Sequence, residues 1–330
     1  MPDRPFMVLA PALYPLFRHL NSWLSPGGSA GALSILIYHR VLPEPDPLFP
    51  DEVDAPRFDA QLNLLKQVFH LLPLPEAVDR LKNHTLPPRA ACLTFDDGYA
   101  DNASIALPLL QKHGVCATFF VASGYLNGGC MFNDRAIALI RQHPAEPIDL
   151  RFLELGSLPL ATLAERRAAL QTLLQRLKYE APEVRCDHLH HLETRLGFTP
   201  PADLMMNDAQ VLSLHQAGMS IGGHTVNHPI LASLPPAVAR CEIEQNRTYL
   251  TRLLGSPPTL FAYPNGKFGQ DYRQEHADMV RETGYAAAVS TEPGIARRES
   301  DLFHLPRFTP WDRSLLRFSL RLSRNLWTHS

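Results

Sequence analysis

Two adjacent carboxylates, Asp96 and Asp97, stand in the run Leu93-Thr94-Phe95-Asp96-Asp97-Gly98-Tyr99, directly after an apolar stretch. Crowding two anions at the end of a buried segment costs free energy unless a cation or a proton compensates, so the pair points to a metal site or to proton transfer. Asp-Gly is also ordinary turn chemistry, and on its own the pair weighs only slightly toward function. A second cluster, Gly222-Gly223-His224-Thr225-Val226-Asn227-His228-Pro229, sets two imidazoles four residues apart. At that spacing they can meet one ion, and two His with one carboxylate leave positions open for water and substrate. Among fifteen His such a pair is a modest coincidence. Three further polar features also follow or flank apolar runs: His39 after LSILIY, Asn265 in Tyr263-Pro264-Asn265-Gly266, and His304 near the last run.

The elements that must position these groups read as an α/β series. Candidate strands are Leu33–His39, Ala91–Phe95, Val115–Val121, Met219–Gly223, Thr259–Tyr263, Tyr285–Ser290 and a weaker Phe303–Phe308. Helical patterns lie between them at Phe58–Val68, Asn102–His113, Asp208–Ala217, Pro235–Leu254 and Asp271–Thr283, with Gly114, Gly218, Gly255 and Gly284 as stops. Continuous apolar strands predict a parallel sheet covered by helices, an α/β barrel or doubly wound sheet. In either, ligands collect at the carboxyl ends of the strands, where both motifs and the three extra polar features fall. Residues from about Tyr125 to Pro201 break the rhythm with Arg- and Leu-rich helical patterns and no convincing strand, which predicts a helical insertion over one face of the core. Residues 1–30 form an N-terminal arm, and Trp311–Trp327 an amphipathic helix with Arg313, Arg317, Arg321 and Arg324 among its leucines. Packing onto the barrel is the first reading of that helix and membrane contact the second.

With 330 residues, 45% of them hydrophobic, the chain can bury a large core. A formal net charge of −2 gives no global electrostatic reason to bind nucleic acid or an anionic membrane. Thirty prolines predict stiff, ordered loops. Five cysteines, odd in number and without a C-x-x-C pair, read as buried free thiols of a reducing compartment. No run approaches the length of a transmembrane helix. The apolar segment Phe6–Phe17 carries Pro11 and Pro15 and lacks a cleavage pattern, making it a poor signal peptide.

Together the motifs resemble the polysaccharide deacetylase family, also called the NodB-homology or carbohydrate esterase 4 family. The matching pieces are Thr94–Gly98 (TFDDG), His224–His228 (HTVNH) and Phe261–Gly266 (FAYPNG). The opening Tyr38–Val41 (YHRV) and closing Leu305–Phe308 (LPRF) are similar to the branch of poly-N-acetylglucosamine deacetylases, and the likeness spans roughly residues 33 to 310. The resemblance implies a distorted (β/α) barrel. It further implies a divalent ion, usually zinc, on Asp97, His224 and His228, with Asp96 as general base. The Asn265 backbone N–H is the candidate oxyanion donor, and His39, ahead of His304, the candidate acid for the leaving sugar amine. The substrate would be an acetylated glycan, losing an N-acetyl or, less often, an O-acetyl group.

The chain also departs from the family pattern. Where the third motif usually carries an Arg that braces the base, Phe261 and Ala262 stand here, and Arg307 is the candidate replacement. His304 is followed by Leu305-Pro306-Arg307, unlike the usual fifth motif. Two rivals remain: a non-catalytic glycan-binding relative and a metal-dependent phosphohydrolase. The paired His and missing Gly-rich phosphate loop disfavour the phosphohydrolase. Family members often work outside the cytoplasm whereas the N-terminus shows no export pattern, so cytoplasm or inner-membrane surface is read ahead of periplasm. Tyr99 reads as a sugar-stacking ring or a strand-end cover, Asn133 and Asp134 as glycan-groove residues or, at least as readily, a helix N-terminus, and His188, His190 and His191 as surface.

Overall fold

The computed structural model describes residues 10–327, so Phe6 to Leu9 of the apolar N-terminal segment lie outside the described residues. Ten strands occur among the described residues: β1 Leu33–Tyr38, β2 His70–Leu71, β3 Ala90–Phe95, β4 Thr118–Val121, β5 Ile148–Asp149, β6 Ser157–Leu158, β7 Ser220–Gly223, β8 Leu260–Ala262, β9 Ala287–Pro293 and β10 Leu305–Arg307. The principal sheet is parallel throughout, in the order β1-β3-β4-β7-β8-β9-β10. It curls until its edges meet: the Ile37 N–H donates to Phe308 O (3.0 Å) and the Phe308 N–H to Ile35 O (2.7 Å). The result is the expected distorted (β/α) barrel, nearly closed with seven strands. The short β2 pairs with the start of β3, whose other end pairs with β4, so neighbours change along one strand.

Alternation along the strands sorts the core. Leu33, Ile35, Ala90, Cys92, Phe120, Leu260, Ala262, Val289 and Leu305 form one buried cluster, while Leu36, Tyr38, Ala91, Leu93, Phe95, Phe119 and Val121 pack in another with residues of the covering helices. Continuing the first register puts Thr94, Asp96 and Arg307 on the same side as Cys92 and Leu305.

The chain divides into two compact units: the described parts of Met1–Pro45, Asp51–Leu126 and Met206–Ser330, which hold the barrel, and a second made of Asp46–Pro50 and Asn127–Met205. The second is helical, with Phe132–Gln142, Leu163–Lys178 and Pro182–Leu196 around a Leu-rich core, but contrary to expectation it also carries strands, the antiparallel pair β5–β6. Two residues a side were too short for a period to register. Thr162 and Glu165 make a reciprocal capping box at the start of the Leu163–Lys178 helix. Asn133 and Asp134 occupy the first turn of the Phe132–Gln142 helix, and His190 and His191 are exposed.

Several boundaries shift. The helix expected at Phe58 begins at Ala55, because Asp54 caps it by accepting the Arg57 N–H (2.8 Å) and Pro56 suits its first turn. A helix at Leu74–Lys82 and one at Tyr14–Leu24 were not expected; each is about as short as a strand-plus-turn pattern. The Asn102–His113 helix opens with a π-turn over Asn102–Ala106. The cysteines correct the expectation of buried thiols: only Cys92 is buried, whereas Cys186 and Cys241 sit on exposed helix faces.

Candidate active site

The β3 strand ends in a sharp reversal, with Asp97 at φ +77° and Gly98 at +95°. Asp is among the few side chains that accept the left-handed region, and the reversal puts the two carboxylates on different tasks. Asp96, buried, receives a bidentate pair from Arg307: Nη1 to Oδ1 at 2.7 Å and Nη2 to Oδ2 at 2.6 Å. Arg307 Nε donates to Ser290 O (2.7 Å) and Nη1 also reaches Thr94 Oγ1 (3.2 Å), so the fork is fixed on three sides. Burial opposes the charged form of Asp96, but the Arg307 charge and hydrogen bonds outweigh it and hold the carboxyl below its ordinary value.

Asp97 turns the other way. Its Oδ1 lies 3.3 Å from His224 Nε2 and 3.3 Å from His228 Nε2. That oxygen is buried and has no hydrogen-bond partner among the described residues. The three ligand atoms all lie within 4.8 Å of one another. A buried carboxylate oxygen without a donor, facing two imidazole nitrogens, is what a cation site looks like when the ligands are preset. His224 Nδ1 contacts Ala262 O at 2.7 Å, and a carbonyl can only accept, so Nδ1 carries the proton and Nε2 offers its lone pair. Burial pushes His228 down to about 4, leaving it neutral at pH 7 as a metal ligand must be. His224 is displaced upward: burial works against its charge, but Asp97 and Asp96 outweigh it. His228 and His224 likewise hold Asp97 well below the usual carboxylate range against the effect of burial. The residues fit a divalent ion.

The His loop is built to stay put. Gly222 and Gly223 end β7 because there is no room for more: a Cβ would stand 2.4 Å from the Phe120 ring at Gly222 and 2.2 Å from Tyr285 Oη at Gly223. Thr225 (φ +64°) and His228 (φ +51°) are left-handed, a strain that persists only where surroundings over-determine it. Thr225 Oγ1 donates to His224 O (2.5 Å) and accepts the His228 N–H (3.0 Å). Two residues one turn apart on the Pro236–Leu254 helix do the rest. Asn246 accepts the His224 N–H (3.1 Å) and donates to Val121 O, Ser123 Oγ and Thr225 O. Glu242 accepts the N–H groups of Val226 (2.9 Å) and Asn227 (2.8 Å). Sequence reasoning missed both.

The remaining candidates separate. His39 follows β1, whose last residue Tyr38 pairs with Phe95, and its carbonyl accepts from Asn102 Nδ2 (2.9 Å). The adjacent Arg40 and Val41 are tied to Asp101, by Nε at 2.7 Å and N–H at 3.2 Å. His304 stands elsewhere: its Nδ1 meets Tyr272 Oη (3.0 Å), its ring packs near Phe268 and Tyr272, and none of its contacts is a member of the carboxylate–imidazole cluster. Asn265, half-buried at φ +58°, ends the turn after β8, and its own N–H has no acceptor among the described residues. Tyr99 is buried under the Arg40 guanidinium (4.7 Å), closing the strand end rather than offering an open ring.

The polysaccharide deacetylase family model matches residues 83–149 and 190–288, half of the chain. The chain belongs to that family. The match contains TFDDG and HTVNH and stops before Arg307. This deacetylase-family chain is 22% identical over 289 residues to YxkH of Bacillus subtilis (strain 168), whose name assigns it provisionally to the polysaccharide deacetylases; the alignment covers 87% of this chain and 74% of YxkH. Among solved structures it resembles the Streptococcus pyogenes deacetylase PplD, determined in complex with acetate (TM-score 0.57, 22% identity, 84% of this chain and 92% of PplD). It also resembles IcaB from Ammonifex degensii (TM-score 0.56, 18% identity, 87% and 97%). At these identities the structures speak for the fold.

Proposed function

We propose that this family member is a metal-dependent deacetylase that hydrolyses N-acetyl groups of a glycan, with O-acetyl esters as the lesser activity. The observation that carries the reading is the division of labour in one dipeptide: Asp97 with an orphaned oxygen facing two imidazoles, Asp96 locked to a buried Arg. Asp97, His224 and His228 would hold the ion, and a His₂–carboxylate set suits zinc. When bound, a divalent ion supplies a Lewis acid that polarises an acyl oxygen and makes water acidic near neutral pH.

The chain's own residues supply the rest. Asp96 takes the proton of the attacking water as oxygen adds to the acetyl carbon; Arg307 keeps the carboxylate ionised and aimed, at the cost of some basicity. The Asn265 N–H donates to the developing oxyanion. As the C–N bond breaks, the nitrogen takes a proton, acetate departs and a free amine remains. Between the two candidate acids, His39 is favoured because it directly follows Tyr38, which pairs with Phe95 just before Asp96, whereas His304 is engaged with Tyr272. The buried Arg307–Asp96 pair also weighs against a non-catalytic relative, since a fold kept only for binding has no use for an ionised, braced base.

The test is acetate release from a panel of N- and O-acetylated oligosaccharides, with and without added zinc after chelation. Zinc-dependent release supports the proposal. Equal release with and without the ion, or none from any acetylated glycan, sinks it.

A further inference from the structure

The Tyr14–Leu24 and Leu315–Trp327 helices pack against each other, and neither contains an acidic residue. Each buries one face: Phe17 and Asn21 on the first, Leu315, Phe318, Leu322 and Leu326 on the second. Each then presents a second apolar stripe outward. Leu16, Leu20 and Trp23 are 62%, 39% and 70% exposed, and Leu316, Leu320 and Trp327 are 40%, 53% and 63% exposed. The Trp23 and Trp327 rings lie 5.9 Å apart and join the stripes into one patch. All three tryptophans of the chain are more than half exposed, the third being Trp311 at 60%. That is unusual for the residue with most to gain from burial.

Cations flank the patch. Arg18 and Arg324 have no carboxylate partner among the described residues. Arg18 also lines a cavity of about 340 Å³ with Lys66, His70, Arg89, Gly114 and Val115, and no carboxylate among the described residues lines it. Arg89 Nε is buried with no partner among the described residues, while its Nη1 donates to Val68 O (3.0 Å). Arg89 directly precedes β3 and Val115 precedes β4, so the cavity opens at the amino ends of the strands, whereas Asp96, Asp97 and His224 stand at the carboxyl ends. Interfacial tryptophans and leucines, acid-free helices and an anion-ready cavity are the complement of an anionic bilayer surface.

We propose that the Tyr14–Leu24/Leu315–Trp327 helix pair docks the protein on anionic lipid, with Trp23, Trp327, Leu16 and Leu320 in the headgroup layer and a lipid phosphate in the Arg18–Arg89 cavity. The proposal goes beyond the deacetylase reading and does not depend on it.

The test is co-sedimentation of the full chain with sucrose-loaded vesicles of phosphatidylcholine and phosphatidylglycerol (1:1) and of phosphatidylcholine alone, with tryptophan emission recorded alongside. Binding should be at least about tenfold tighter on the anionic vesicles, weaken with salt, and shift the emission to the blue. Trp23→Ser/Trp327→Ser and Arg18→Glu/Arg324→Glu should each lose about tenfold or more while melting like the parent. Absence of binding by a folded parent overturns the proposal, as does anionic-vesicle binding that both variants retain. A parent that ignores vesicles but forms a dimer dissolved by the Trp substitutions also overturns it, assigning the patch to a second copy.

Discussion

Replacing Arg307 by Met should cost about 3–5 kcal/mol of folding stability near neutral pH, because a carboxylate at 2% exposure is left in the interior without its counter-ion. The loss has a pH signature that separates it from ordinary core damage. In the parent, Asp96 is held below its ordinary value, so its stabilisation is complete above the unfolded pKa of about 3.9 and is lost only as pH falls through the lower folded value. Without Arg307 the leading influence is burial, which raises the pKa, and His224 and His39 oppose it only in part. The electrostatic part of the loss grows with that rise, at about 1.36 kcal/mol per unit, while lost packing adds a part that does not vary with pH. The folded variant then holds more protons than the unfolded chain from about pH 4 up to the raised pKa, and its stability falls with rising pH across that window, by up to about 1.4 kcal/mol per unit. Urea unfolding of both proteins in EDTA between pH 4.5 and 8 reads this directly. The parent-minus-variant difference should grow with pH and then level, and Asp96→Asn/Arg307→Met should flatten it. A difference that is large but independent of pH would refute the idea that Arg307 acts by holding Asp96 ionised.

Other substitutions test the remaining assignments. His228→Ala and Asp97→Asn should each lower zinc affinity by orders of magnitude in a chelator-competition titration while leaving the melt in EDTA unchanged. Asp96→Asn should keep stoichiometric zinc yet lose about 10²–10⁴ in turnover; metal loss there, with retention in Asp97→Asn, reverses the two roles. Asn246→Ala should destabilise by about 2–4 kcal/mol, because His224 N–H, Val121 O and Thr225 O all lose a buried partner, and unchanged urea midpoints would show that water replaces it.

How much of this was legible in the sequence follows from which interactions are local. Seven strands and the glycine stops could be read because each is a short run whose period does not depend on the rest of the chain. The metal-type triad was legible because TFDDG and HTVNH each end a strand, and a parallel barrel brings such ends together whatever the intervening length. Asn246 and Glu242 were not, because they sit inside a helix whose apolar pattern accounts for its neighbours. A signal was there: Asn246 occupies a core slot in the stripe Ala239, Ile243, Asn246, Leu250, all buried. A polar residue in such a slot must satisfy its amide at another backbone, here the His loop. Arg307 is the opposite case, a residue legible by chemistry but not by position. It stands 211 residues from Asp96 and beyond the stretch that matches the family model. What brings it home is closure: β10 pairs with β9, Phe308 hydrogen-bonds to β1, and β1 runs in register with β3 from Leu33↔Ala90 to Tyr38↔Phe95. The side chain next to Phe308 therefore arrives inside the barrel one strand from the end of β3, within reach of Asp96. An Arg that braces Asp96 from within the sheet must come from a strand whose inward position lies at that height, and β10 is such a strand.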